Sequence, residues 1–208
     1  MAGLDPLILC NRACARVGLD PFQTLDDDLP GGQSAGLVYA GLIDFLLGLY
    51  PWSWARTTRR LSRLANVQAF AGFSHVFQLP ADRLNPPEKI TMSPADPDAV
   101  VTNFVLEDDR LHANEPDLYA RVAYAVPPSR WSSSFVEAAT LALGAELIMA
   151  IAANEKKRDA LRRDVYGSPQ EQMRGGLIGV AIQADAYGSP TKRVRTERNP
   201  LTRHFVGG

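Results

Sequence analysis

This chain of 208 residues contains few cysteines and histidines, and its positive and negative charges almost cancel. It has 2 cysteines, 3 histidines and a formal net charge of −1 at pH 7. The near-zero charge gives no overall attraction to nucleic acid or to a membrane surface. Cys10 and Cys14 stand four residues apart in a predicted helix, and this separation rarely suits disulfide geometry. We therefore expect both thiols to be reduced and buried.

Motifs for metal binding and catalysis are missing too. His75, His112 and His204 are far apart in the sequence, and none has a second ligand at three- or four-residue spacing. The acidic run 26–28 lacks the glycine and glutamate of a calcium loop, so it is read as an acidic turn. There is no phosphate-binding glycine loop and no glycine-flanked nucleophilic serine. We therefore expect no cofactor, no metal and no enzymatic activity.

Long uninterrupted hydrophobic runs are the third absence. A helix needs about 20 apolar residues to cross a bilayer. The run 37–54 is interrupted by Asp44, and the run 135–153 contains Glu137 and Glu146. The N-terminus has no basic segment before its first apolar residues, which argues against a signal peptide. We expect a soluble protein that is neither exported nor inserted in a membrane.

The most prominent feature present is the apolar run 37–54, whose large side chains recur at the spacing of one helix face. Ser34 is the predicted N-cap, and Pro51 should end the helix. Because the helix is apolar on most of its circumference, we expect it to be buried. Gly41 and Gly48 lie on a second stripe, where small residues let another backbone approach.

Further helices are predicted on both sides of this run. Residues 4–17 form the first, with Gly18 as its stop. Ser134 and Glu137 fit a capping box at the start of an alanine-rich helix. Helix continues over 159–166, and Ser168 is the predicted N-cap of another.

Short alternating segments occupy the middle of the chain. Strands are predicted over 73–79, 89–93, 100–106 and 118–126. Because turns rather than helices separate them, they indicate an antiparallel arrangement. The predicted fold class is α+β, mainly α: a helical bundle with an inserted small antiparallel β-sheet or barrel. Residues 1–188 should form a single domain, with helices in 4–54 and 131–187 and the β insertion at about 57–126.

Residues 189–208 form a basic C-terminal arm without apolar periodicity. Its cations are Lys192, Arg193, Arg195, Arg198 and Arg203, opposed by Glu197 alone. Leu201, Phe205 and Val206 are apolar anchors within it. Three interpretations stay open: an arm that orders on a partner, a solvated chain end, or a contact with phosphate groups of DNA.

Several motifs occur together in one order. The apolar helix is followed by Pro51-Trp52-Ser53-Trp54-Ala55, and an aromatic strand ends in Leu79-Pro80-Ala81-Asp82-Arg83-Leu84. The hairpin sequence FVLEDDRL at 104–111, the step Glu115-Pro116 and the tyrosine-bearing strand 118–126 come next. The sequence FVEAA at 135–139, Tyr166 and Ala184-Asp185-Ala186 complete the series.

In the order of these motifs, the chain resembles the head-to-tail adaptor proteins of tailed phages. The resemblance is closest to the tail tubular protein A family of short-tailed phages. The resemblance covers most of residues 4–187. Two departures, His75 and Phe77 in place of tyrosines and the helix break at 167–169, also fit an adaptor of a long-tailed phage or of a gene-transfer particle. The residues expected in the structural core are Trp52, Trp54, Phe77, Pro80 and Asp82.

The resemblance implies a structural protein of the virion, located at the portal vertex (neck) and assembled in the host cytoplasm. Its partners would be the portal protein, neighbouring copies in a ring expected to be twelvefold, and a downstream tail component such as a stopper, nozzle or tail terminator. DNA would pass through the ring channel without sequence readout. The arm is the segment expected to bind the portal, through Lys192, Arg193, Arg195, Arg198, Leu201, Arg203 and Phe205. The alternative is a small DNA-binding or packaging accessory protein that uses the basic arm.

Overall fold

The fold is α+β and mainly helical, which confirms the predicted class. In the computed structural model the described residues are 4–188, except 31, 71 and 97. The C-terminal arm lies outside them. The helices are α1 (Pro6–Val17), α2 (Ala35–Gly48), α3 (Ser133–Ala152), α4 (Glu155–Tyr166) and α5 (Gly176–Tyr187).

The ends of α1 follow from two local signals. The carboxylate of Asp5 accepts a hydrogen bond from the backbone N–H of Ile8, at 2.8 Å. Gly18 ends the helix with φ of 73°, a left-handed conformation that glycine adopts without steric cost. The predicted stop at Gly18 is confirmed. The buried side of α1 packs against α3.

The helix α2 begins as predicted, with the Ser34 hydroxyl accepting from the N–H of Leu37. It ends at Gly48, before Pro51, and Leu49 is its C-cap. Other parts of the chain approach the predicted stripe of small residues at only one of its two glycines. The amide of Asn85 donates to the carbonyl of Gly48 at 2.8 Å, whereas a Cβ at Gly41 would meet no atom within 4 Å.

The helix α3 is the centre of the bundle and packs against α1, α2, α4 and α5. Its N-cap is Ser132, which accepts from the N–H of Phe135. The predicted capping box is therefore wrong: the helix begins before Ser134, and the carboxylate of Glu137 pairs with Arg16 of α1 instead. At the other end Ala153 adopts a φ of 48°, and Asn154 caps α4.

One described helix, α3, is long and apolar enough to cross a membrane, and 56% of its most apolar window is buried. Its contacts with four other helices account for that composition, because a helix surrounded by protein needs apolar residues on all sides. We therefore interpret α3 as a core helix.

Among the described residues, seven short strands form two antiparallel sheets. They are β1 (Arg56–Arg60), β2 (Ser62–Arg63), β3 (His75–Gln78), β4 (Lys89–Thr91), β5 (Val105–Glu107), β6 (Arg110–Ala113) and β7 (Tyr119–Ala123). The strand orders are β1-β7-β4 and β2-β3-β6-β5. The predicted sheet is thus divided in two, and the described strands close into no barrel.

A tight turn joins β5 and β6, as the sequence predicted. Asp108 and Asp109 have φ values of 47° and 58°, and two successive positive φ angles match the twist of a two-residue hairpin. The strand before the turn is shorter than predicted. It begins at Val105, while Val100 forms only an isolated bridge to Thr91.

The helices and the sheets have separate hydrophobic cores. The bundle core surrounds Trp52 and Phe135, which are fully buried. The β core surrounds Phe77 and Leu111 between the two sheets. The chain leaves the bundle core after Ala55 and enters the β core at Leu61, so Trp52 lies close to the place where the two parts meet.

Replacing Trp52 by alanine should lower the free energy of unfolding by about 3–5 kcal/mol, because a large buried side chain would leave a cavity. Chemical denaturation followed by circular dichroism measures the change. The matched control is Phe45→Ala on α2, where the side chain is 42% exposed. Equal losses for the two variants would contradict the central position assigned to Trp52.

Candidate interaction surface

The described residues contain no group of three or more side chains suited to hold a metal ion. His75 lies opposite Ala113 and His112 opposite Val76 in the β3–β6 register. Neighbouring positions of a strand point to opposite faces, so the two imidazoles do not converge. His204 belongs to the arm and lies outside the described part of the chain.

The cysteines are free and buried in α1, as predicted. Burial, together with the nearby Cys14, raises the pKa of the Cys10 thiol to about 12. Burial also raises the pKa of Cys14. Because the thiolate is the reactive form, this environment does not favour a nucleophile.

Aromatic rings concentrate where the chain leaves α2. Trp52 and Trp54 stack with centroids 5.7 Å apart, and the ring of Phe135 contacts both edge-on, at 4.8 and 5.0 Å. The indole N–H of Trp52 donates to the carbonyl of Leu46 at 3.2 Å. That bond satisfies the one polar atom of a fully buried side chain.

An aspartate of α5 is anchored at the same place. Asp185 is 9% exposed, and its carboxylate accepts hydrogen bonds from the backbone N–H and the hydroxyl of Ser53, at 3.0 and 2.6 Å. Hydrogen bonds to an ionised acceptor are among the stronger ones. Asp185 therefore holds the C-terminal end of α5, the last described helix, beside the aromatic junction.

The residues predicted for the structural core differ in their burial. Trp52 and Phe77 are buried as predicted, while Trp54 and Pro80 are half-buried. The prediction is wrong for Asp82, whose side chain is 59% exposed and pairs with Arg59 at 2.8 Å. Its role is an ion pair at the edge of the sheet, because a carboxylate gains more from water and a cation than from an apolar core.

One side of α2 is apolar and open to solvent. Leu37 is 66% exposed and Phe45 42%, and Gly41 lies between them on the same side, also exposed. We call Leu37, Gly41 and Phe45 the α2 face. Sequence analysis predicted burial of α2, and the structure corrects this for the α2 face.

The α2 face forms one wall of a groove of about 480 Å³. Tyr166 and Met173 also line this groove, and the ring of Phe45 contacts that of Tyr166 edge-on, with centroids 6.4 Å apart. Arg162 and Glu146 stand 3.7 Å apart, also in the groove lining. The result is an apolar groove with one ion pair in its lining.

A second exposed apolar surface lies on α5. Val180 is 55% exposed and Tyr187 87%, and seven residues separate them, which places them on one side of the helix. We call Val180 and Tyr187 the α5 ridge. The bundle therefore carries two different apolar surfaces, one concave and one on a convex helix.

The predicted partner-binding residues of the arm are not placed by the structure. Lys192, Arg193, Arg195, Arg198, Leu201, Arg203 and Phe205 all lie outside the described residues. Sequence analysis did not identify the α2 face or the Asp185 anchor. A usable signal for each was present in the sequence: a glycine between large apolar residues, and an aspartate in a largely apolar helix.

Comparison with known proteins gives no assignment. No protein-family model matches the chain, and no curated protein matches it significantly.

The two cysteines should be unreactive in the native protein. With pKa values above the ordinary thiol value and no exposed surface, we expect almost no reaction with a disulfide reagent at pH 8 over minutes. Both thiols should react promptly in denaturant, which serves as the positive control. Rapid modification of a native thiol, read from the absorbance of the released chromophore, would contradict the buried placement.

Proposed function

We propose that this chain is a structural head-to-tail adaptor of a tailed phage or phage-like particle. Copies would form a ring that docks on the portal, extends the DNA channel and provides the platform for tail attachment. The motif order of the sequence supports this proposal, and so does the architecture of a helical bundle with an inserted β region. The chain would then act as a mechanical connector.

The observation that carries the proposal is the α2 face. Leu37 and Phe45 are large apolar side chains left open to solvent on a helix that is otherwise apolar. Contiguous exposed apolar surface commonly marks an interaction site. A cyclic assembly uses two different surfaces of each subunit, and the groove beside the α2 face and the α5 ridge supply two.

The point where the arm leaves the fold also supports a role in assembly. Asp185 holds the end of α5 against Ser53, so the last described helix ends beside the junction of bundle and sheets. Its arginines and apolar residues would meet acidic and apolar groups of the portal protein. The proposal includes the virion neck as the location of the chain. It includes the portal, neighbouring copies and a downstream tail component as its partners.

The rival function is that of a small DNA-binding or packaging accessory protein using the basic arm. The open α2 face favours the adaptor, because Leu37 and Phe45 together offer apolar surface that a neighbouring subunit could cover. The two functions predict different behaviour: concentration-dependent assembly for the adaptor, and monomeric binding through the arm for the accessory protein.

Introducing a charge on the α2 face should weaken self-association. We expect Leu37→Glu to shift the assembly equilibrium at least about tenfold toward monomer, since a carboxylate would lose solvent in the contact. Sedimentation velocity over a range of concentrations measures the shift. Met92→Glu, at a residue 50% exposed in the β region, is the matched control. If both variants assemble like the unchanged chain, the α2 face is not the contact.

Deleting residues 190–208 should leave a folded subunit that no longer binds portal rings. The last described helix ends at Tyr187, and the contact of Asp185 with Ser53 stays within the shortened chain. Thermal unfolding tests the fold, and a pull-down with the portal protein of the same genome tests the interaction. Retained binding by the folded, shortened chain would refute the role assigned to the arm.

A further inference from the structure

The α2 face has a gap at Gly41 that no side chain of the described chain fills. A Cβ at this position would meet no atom within 4 Å, so packing within the described chain does not require a glycine here. Glycine is also unfavourable in the middle of a helix, because it loses more conformational freedom on folding than other residues do. Leu37 and Phe45 lie about one turn before and one turn after it. We call this opening between two large apolar side chains the Gly41 notch.

The groove beside the Gly41 notch is apolar, and the charges in its lining are compensated. Phe45, Tyr166 and Met173 supply two rings and a thioether. Glu146 and Arg162 lie 3.7 Å apart, which is longer than a hydrogen bond, so their polar atoms can still bond an incoming group. A charged occupant would lose its water without gaining a free counter-charge. The groove therefore suits an apolar side chain that carries one uncharged polar atom.

The exposed side of α5 has this chemistry. The single charged residue of the helix, Asp185, is buried. The exposed positions are all uncharged: Gly176, Val180, Gln183, Ala184, Ala186 and Tyr187. A helix side that faces water normally carries charges, whereas the centre of a protein interface is depleted of charge and rich in tyrosine. Tyr187 is 87% exposed and combines an apolar ring with one hydroxyl.

We propose that the groove of one copy receives the α5 ridge of a second copy. The ring of Tyr187 then lies against Phe45 and the Gly41 notch, and its hydroxyl reaches the ion pair of the groove. No described residue of α5 lines the groove of its own copy, so each copy leaves both surfaces open to another. A single contact between copies covers both surfaces, which a foreign helix would not do. This inference rests on the proposed function, because it names the partner of the α2 face.

The size of the contact determines how the copies assemble. An enclosed aromatic side chain buries about 150–250 Å², and a stable complex needs about 800 Å² on each partner. The α5 ridge, with one tyrosine and one valine, covers less than that. A single contact is therefore weak, and isolated pairs of copies stay scarce. A series of copies that closes on itself gives every copy two contacts, so assembly depends steeply on concentration.

The variant Gly41→Leu tests the contact without threatening the fold. Leucine is a better helix former than glycine, and the position has room for a Cβ, so the free energy of unfolding should stay the same or rise. Assembly should shift at least about tenfold toward monomer, because the added side chain overfills the contact. Ala160→Leu on α4, exposed and outside the groove lining, is the matched control. Sedimentation velocity measures assembly, and chemical denaturation measures the fold.

The hydroxyl and the ring of Tyr187 can be tested separately in the same assay. Tyr187→Phe keeps the ring and should assemble within about a few-fold of the unchanged chain, since one hydrogen bond contributes modestly. Tyr187→Glu brings a charge into the contact and should shift assembly at least about tenfold toward monomer.

Cysteine crosslinking with a short bismaleimide tests which surfaces meet, even when the contact is weak. The native cysteines are buried, so new thiols at exposed positions react first. The double variant Gly41→Cys with Ala184→Cys should give a ladder of crosslinked copies. An equimolar mixture of the two single variants should stop at dimers that contain one copy of each. The control mixture pairs Gly41→Cys with Met92→Cys, a residue 50% exposed in the β region.

Three results would overturn the inference. One is an unchanged chain that stays monomeric at every concentration, with no ladder from the double variant. Another is a folded Gly41→Leu variant that assembles like the unchanged chain. The third is a mixture of the single variants that crosslinks no more than the control mixture, which would indicate another occupant of the groove.

A pull-down with portal rings separates this inference from the adaptor proposal. Portal binding without the expected crosslinks would contradict only the contact between groove and ridge. Crosslinking without portal binding would contradict only the adaptor proposal.

Discussion

The burial of Trp52 is the constraint on which the rest of the structure depends. Its ring is enclosed by Trp54 and Phe135, and its N–H donates to the carbonyl of Leu46. One side chain thereby links the end of α2, the start of α3 and Trp54 in the segment that leads into β1. Because the next residue, Ser53, binds Asp185, the same junction also fixes the end of α5. The first strand and the last described helix thus begin and end within a few residues of this contact.

Local sequence signals predicted the elements whose ends depend on neighbouring residues alone. Gly18 ends α1, Ser34 caps α2, and the acidic pair at 108–109 forms the hairpin turn. The start of α3 was missed because three serines at 132–134 offer equivalent caps, and tertiary packing selects Ser132. Hydrophobicity also predicted burial for all of α2. Composition does not tell whether the partner of an apolar face belongs to the same chain.

The candidate surfaces were harder to predict because each joins distant parts of the sequence. The Asp185 anchor connects residues 132 positions apart. The α2 face needs the packing of α2 against the rest of the bundle, since the apolar pattern of one helix does not show which side is left open. The arm, by contrast, is cationic by composition alone. Sequence reasoning therefore favoured the arm as the interaction surface and overlooked the α2 face.

The two exposed apolar surfaces lie on helices of the bundle, and this placement has a physical consequence. Contacts through the α2 face and the α5 ridge would join one bundle to the next, and the two sheets would stay outside such a contact. Because the two surfaces differ, the contact would be heterologous, and heterologous contacts form a ring only when the rotation between neighbours closes. The angle between the α2 face and the α5 ridge would therefore decide whether repeated contacts give a closed ring or an open filament.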